Sequence, residues 1–182
     1  MEENNLKTED LVLKARGGDP EAFAILYERY YKELYKTAYF TLGNVQDAEN
    51  AVSETVLDAY AGIAKLRDPS AFRAWIFAIL SNKCKAILRE YVKSRTHLAE
   101  RPPEEFEEVL GDEDPEIQGA EDKSALQKAF AVLTEEERQI VTMTVYAQLD
   151  SGQIAKQLSV NRNTVRSKYS RALKKMRMVL EE

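Results

Sequence analysis

The chain has 182 residues with 26 Lys+Arg against 31 Asp+Glu, a net charge of −5, which allows one ordinary domain or two small ones. Apolar residues make up 44% of it, enough to bury a core, while seven glycines and five prolines are few for an all-β fold with many turns. The longest strictly apolar run, Ala74 to Leu80, is too short to span a membrane, and one cysteine (Cys84) with one histidine (His97) excludes an internal disulfide and argues against a structural zinc site.

The start of the chain, MEENNLKTED, is polar and has no apolar segment of the signal-peptide kind, which predicts a cytoplasmic protein. Thr8 is placed to cap a short first helix ending at Gly17-Gly18. Asp19-Pro20-Glu21 joins an N-cap to proline at the first helical position, and the helix behind it sets Phe23, Leu26, Tyr30, Leu34 and Ala38 on one stripe before Gly43. Asn44 caps a third helix with Ala48, Val52, Val56, Ala59 and Ile63 on its apolar face. Asp68-Pro69 repeats the start signal and opens a fourth helix through Phe72, Ile76, Ile79 and Ile87.

Charge is distributed unevenly along this order. Residues 1–95 are neutral, 96–122 carry Arg101 against eleven acids, and 123–182 are net +5. The middle stretch holds three of the five prolines and no sustained apolar period, so it reads as an acidic flexible linker between two domains. It is either a solvated tether or an acidic strip that lies in a basic channel of a partner. Within the first domain, the third helix carries Asp47, Glu49, Glu54 and Asp58 and no base, while Lys65 to Arg95 holds eight bases against two acids. Adjacent faces of opposite charge are either solvated surfaces or two partner-facing ones. Tyr27, Tyr31, Tyr35 and Tyr39 recur every fourth residue and read as packing.

After the linker, Ser124 to Val132 forms a short helix and Thr134-Glu135-Glu136-Glu137 is a capping box that opens the next. In SGQIAKQLSVNRNTVRSKYSRALKKMR, Ala155, Val160 and Val165 fall five apart beside Ile154 and Leu158. That spacing suits two helices meeting at a tight turn, with small Ala155 allowing close approach. Asn161 caps the second of them, and Gln153 to Arg177 contains eight bases and no acid. Side chains of these types at the start of such a helix read base edges and phosphates, with Lys175 further along within reach of phosphate alone. A helix-turn-helix does not by itself name the class of regulator.

In order and spacing, AFAILYERYYKELY, DAENAVSETVLDAY at 47–60, FRAWIFAILSNKCKAILRE at 72–90, LTEEERQIV at 133–141 and QIAKQLSVNRNTVRSKYSRALKKM at 153–176 resemble the extracytoplasmic-function sigma factors, the two-domain members of the bacterial sigma-70 class. The chain departs from the family pattern at Asn50, Ser53, Ala78, Gln153 and Asn163, where the family has an acid, Gln, Arg, Glu and Gly.

The resemblance implies an all-α chain: a four-helix N-terminal domain (sigma region 2) at 8–95, a linker at 96–122, and a C-terminal helix-turn-helix domain (sigma region 4) at 123–182. It implies a non-enzymatic promoter-specificity factor without metal or cofactor. Asp47, Glu49, Asn50, Ser53 and Glu54 would dock on the β′ clamp helices of core RNA polymerase, and the C-terminal domain on the β flap. Lys65, Arg67, Asp68, Ser70, Arg73, Asn82 and Lys83 would melt and capture the −10 element. Asn161, Arg162, Asn163, Thr164, Arg166, Ser167, Lys168 and Arg171 would read −35 duplex DNA. An anti-sigma factor is the further partner the resemblance implies.

Overall fold

The computed structural model describes residues 6–97 and 120–181. It holds eight α-helices: α1 (Thr8–Arg16), α2 (Pro20–Leu42), α3 (Val45–Gly62), α4 (Phe72–His97), α5 (Ala120–Ala131), α6 (Glu135–Val145), α7 (Ser151–Leu158) and α8 (Arg162–Leu180). There is no strand among the described residues, and no helix there is long and apolar enough to cross a membrane. The fold is therefore all-α, in two helical domains, α1–α4 and α5–α8. The greater part of the expected linker lies outside the described residues.

Local chemistry sets most helix ends. The Asp19 carboxylate accepts the N–H groups of Glu21 and Ala22 at 3.0 and 3.1 Å, with Pro20 fixing the first helical φ of α2. Gly43, at φ 84°, ends α2 in a left-handed conformation that a side chain would resist. Asn44 then caps α3 by accepting Asp47 N–H at 2.8 Å. Asp68 opens a one-turn 3-10 segment, Pro69–Ala71, that leads directly into α4. One end differs from expectation. Thr8 is the first residue inside α1, so the cap position falls on Lys7, whose side chain accepts nothing, and Glu9 and Asp10 supply the negative charge favoured in the first turn. Helix α5 begins at Ala120, four residues before Ser124.

The first domain is organised around α2, which packs on α1, α3 and α4 and buries Phe23, Leu26, Tyr30, Leu34 and Ala38, as its stripe predicts. In the second domain α5, α6 and α7 all pack on α8. Helices α7 and α8 meet at a turn through Ser159 in a left-handed conformation, where Val160 N–H bonds to Ala155 O at 3.0 Å. Ala155 and Val165 are buried at that angle and Val160 is half-buried, as their spacing predicts.

The two domains share a seam that no sequence pattern announces. Helix α2 packs on α6 and α4 touches α7. Phe40 stacks on Phe130 and Tyr146, with ring centroids 4.4 and 5.6 Å apart. Burying such a ring contributes roughly 1.5–3 kcal/mol. Beside it the Thr41 and Thr142 hydroxyls lie 3.1 Å apart, and Gln127 Nε2 donates to the Tyr39 hydroxyl at 2.9 Å.

Candidate nucleic-acid interface

Helix α8 is built to present its first turns. Asn161 Oδ1 accepts Asn163 N–H at 2.8 Å, fixing the start, while Val165, Ala172 and Met176 bury the opposite face. Arg162, Asn163, Arg166 and Ser167 are all exposed there. On a 3.6-residue period they fall within roughly 140° of the helix surface, together with exposed Ser170, which the sequence motif did not single out. Arg162 Nε donates to Ser151 Oγ at 2.9 Å, tying the reading end of α8 to the start of α7. The preceding helix is held by a second capping box, in which Asp150 accepts the N–H groups of Gly152 and Gln153 and Gln153 Oε1 accepts Asp150 N–H at 2.9 Å. Those backbone N–H groups hold the Asp150 carboxyl below its ordinary range. Gln153 thus closes the box with its amide oxygen.

Three other residues of the −35 set do not join that exposed strip on equal terms. Lys168 is ion-paired with Glu136 on α6, half a turn away from the exposed strip. Thr164 is half-buried, and its carbonyl accepts from Ser167 Oγ at 3.1 Å. Arg171 is exposed one turn further along, its Nε donating to Ser167 O at 3.3 Å. Lys175, expected to reach phosphate, instead holds Glu137 Oε1 and Oε2 at 2.9 and 2.8 Å.

The −10 residues split into two groups. Lys65, Arg67, Asp68 and Ser70 are exposed in the turn before α4, where Asp68 accepts Ser70 N–H at 3.0 Å and Ser70 Oγ at 2.7 Å. Asn82 is exposed on α4, seven residues after half-buried Trp75 and so on the same side, about 10 Å along the axis. Gly62 borders that indole: a Cβ there would lie 3.3 Å from the ring, so a larger residue would push the turn away. Arg73 points elsewhere, nine residues and thus about half a turn from Asn82. Its Nε donates to Ala147 O at 2.7 Å and its Nη2 to Tyr146 O at 3.3 Å, while the guanidinium lies over the Tyr30 ring, 5.2 Å from its centroid. Lys83 faces α3, bridging Asp58 at 2.8 Å and Glu54 at 3.1 Å, and these bonds raise its pKa.

On α3, Glu49, Asn50, Ser53 and Glu54 are exposed, with Asn50 accepting from Gln46 Nε2 at 3.3 Å. Asp47 is not free in the same way. Its carboxylate accepts Asn44 Nδ2 at 2.6 Å and the Tyr91 hydroxyl from α4, so it braces the helix start. The sequence reading missed Leu57 and Tyr60, which are 70% and 55% exposed on the same helix. Their signal was available: large apolar residues off the Ala48–Val52–Ala59 stripe.

Two family models match the chain: Sigma-70 region 2 over residues 26–94 and Sigma-70 region 4 over residues 123–176. The ECF RNA polymerase sigma factor SigM of Mycobacterium tuberculosis is 28% identical over 163 residues, covering 90% of this chain and 79% of that protein. Among solved structures, the sigma factor RpoE of Bartonella quintana, in complex with the anti-sigma factor NepR, is 19% identical with TM-score 0.74 and covers 87% of this chain and 96% of its own. CnrH, solved with the cytosolic domain of CnrY, is 22% identical with TM-score 0.66 and covers 96% and 97%. With the region 2 match on α2–α4 and the region 4 match on α5–α8, in that order, the chain belongs to the sigma-70 family as an ECF sigma factor, one of the proteins that direct RNA polymerase to promoters.

Proposed function

We propose that this chain docks on core RNA polymerase through the exposed α3 face, reads −35 duplex DNA with α8, and captures the melted −10 strand with the turn before α4 and with Asn82. The observation that carries this reading is the exposed, capped start of α8, where Arg162, Asn163, Arg166 and Ser167 share one face. A helix of about 10–12 Å diameter fits the major groove, and Arg and Asn at its start supply the bidentate donors and acceptors that distinguish base pairs. Lys65 and Arg67 serve the strand's phosphates, and Asn82 offers both a donor and an acceptor to an unstacked base.

On this reading Glu49, Asn50, Ser53 and Glu54 meet the β′ clamp helices, with Leu57 and Tyr60 adding apolar contact, and the second domain meets the β flap. The units are region 2 at 8–95, the acidic linker at 96–122 and region 4 at 123–182. The chain acts in the cytoplasm and supplies no chemistry of its own. The solved RpoE and CnrH carry NepR and CnrY, and an anti-sigma protein is accordingly proposed as a further partner.

Run-off transcription with core polymerase on a pool of genomic fragments tests the reading. Defined transcripts that depend on this chain are expected. Duplex binding without capture of core polymerase in a pull-down would make it a stand-alone helix-turn-helix regulator instead.

A further inference from the structure

We propose that Arg16 is a positioning residue for −10 recognition: from α1 it holds the joint of the turn that presents Lys65, Arg67 and Ser70 to the melted strand. This rests on the −10 reading above and adds a residue to it from a helix that has no part in that reading.

The turn is built from two one-turn 3-10 segments, Ile63–Lys65 and Pro69–Ala71. Each closes on itself. Leu66 N–H bonds to Ile63 O at 3.0 Å, and Ala71 N–H bonds to Asp68 O at 3.1 Å. The Asp68 carboxylate adds its two bonds to Ser70, so the second half is fixed internally. Arg67 lies between the two closures, and its φ and ψ set the angle between the half that carries Lys65 and the half that carries Ser70. The carbonyl of this residue accepts from Arg16 Nη1 at 3.5 Å.

Helix α1 is seated to make that bond. It packs on both 3-10 segments, with its own Leu11, Val12 and Ala15 buried and Ile63 and Leu66 buried in the turn. Leu66 thus anchors the turn between Lys65 and Arg67, which are both exposed. Apolar packing seats the two halves but is non-directional, whereas a bond to one carbonyl selects an orientation at the joint. A reader held rigid loses less order on binding, and its contacts relax less to suit a wrong base. Helix α1 precedes the residues 26–94 that match Sigma-70 region 2, so the family match does not mark it.

The test uses the full chain with core polymerase. Anisotropy is read on the single-stranded non-template −10 strand of a promoter from the run-off pool and on its single-base variants. Wild type comes first: no preference among those strands would sink the −10 reading of the turn itself. Given a wild-type preference, Arg16→Ala is expected to shrink the affinity ratio between cognate and variant strands by roughly threefold, the share one long hydrogen bond can hold. The ratio is taken within one preparation, so a partly unfolded fraction cancels. Capture of core polymerase, affinity for −35 duplex and the salt slope of single-strand binding should stay at wild-type values, because no phosphate contact is removed. An unchanged ratio overturns the proposal. So does an equal loss on every strand with a salt slope lower by nearly one unit, which would make Arg16 a phosphate contact instead. A parallel loss of −35 or core binding overturns it too.

Discussion

Lys175 on α8 clasps both carboxylate oxygens of Glu137, the third residue of α6, whose side chain also closes the Thr134 capping box. Glu137 is buried, and burial alone would raise its pKa, but the Lys175 ammonium and the Thr134 N–H outweigh that and hold the carboxyl below its ordinary value. Lys175→Ala should therefore destabilise the second domain by about 1–3 kcal/mol, because a buried carboxylate loses its cation. The direction with pH follows. A carboxyl lowered in the folded state contributes stability above the ordinary value of 4.5, lost as pH falls through the folded value. Urea melts of wild type and Lys175→Ala should converge as the pH drops below that range.

Arg166→Ala should weaken −35 duplex binding by about 1–3 kcal/mol and relax preference at one base pair. Lys174→Ala, exposed about 12 Å further along the axis, should weaken promoter and scrambled duplex alike. Titrations on both duplexes check this, and equal discrimination by both variants would remove α8 from base reading.

Glu49→Lys with Glu54→Lys should abolish capture of core polymerase while leaving the thermal midpoint within a few degrees, since both side chains are exposed. Asp47→Ala should behave differently. It breaks the brace between Asn44 and Tyr91 and should cost on the order of 1 kcal/mol of stability. Pull-downs paired with melts separate docking from bracing.

Asn82→Ala should reduce discrimination among single-stranded −10 variants when core polymerase is present. Lys83→Ala should leave the salt slope of that binding unchanged, because the ammonium faces Glu54 and Asp58 rather than DNA. A slope reduced by nearly one unit would show Lys83 on phosphate.

Burial pushes the Cys84 thiol up to about 12, so it carries almost no thiolate at pH 8. Alkylation by iodoacetamide should be slow in the native chain and fast in urea.

Features encoded within three or four residues were legible in the sequence. The caps at Asp19, Asn44, Thr134 and Asn161, the stop at Gly43 and the apolar stripe of α2 each depend on near neighbours, and the structure bears them out. What a charged residue faces was not legible. Arg73, Lys83, Lys168 and Lys175 all read as bases facing DNA, yet each is engaged with another element through tertiary packing. Asp47 likewise read as one more acid on a docking face, because Tyr91 reaches it from another helix. Periodicity tells which side of a helix is apolar. It carries no information on which polar group a neighbour brings.

The stacking of Phe40 has a consequence for biosynthesis. Tyr39 meets Phe40 edge-on from the same helix, but the two stacking partners of Phe40, Phe130 and Tyr146, lie 90 and 106 residues later in the chain. All four helices of the first domain precede them, so α1–α4 can close while Phe40 still has neither stacking partner. At about 5–20 residues per second, the ribosome leaves that ring without its stacking partners for several seconds after α4 emerges. The nascent first domain thus offers a short-lived adhesive spot, and the arrival of α5 and α6 removes it.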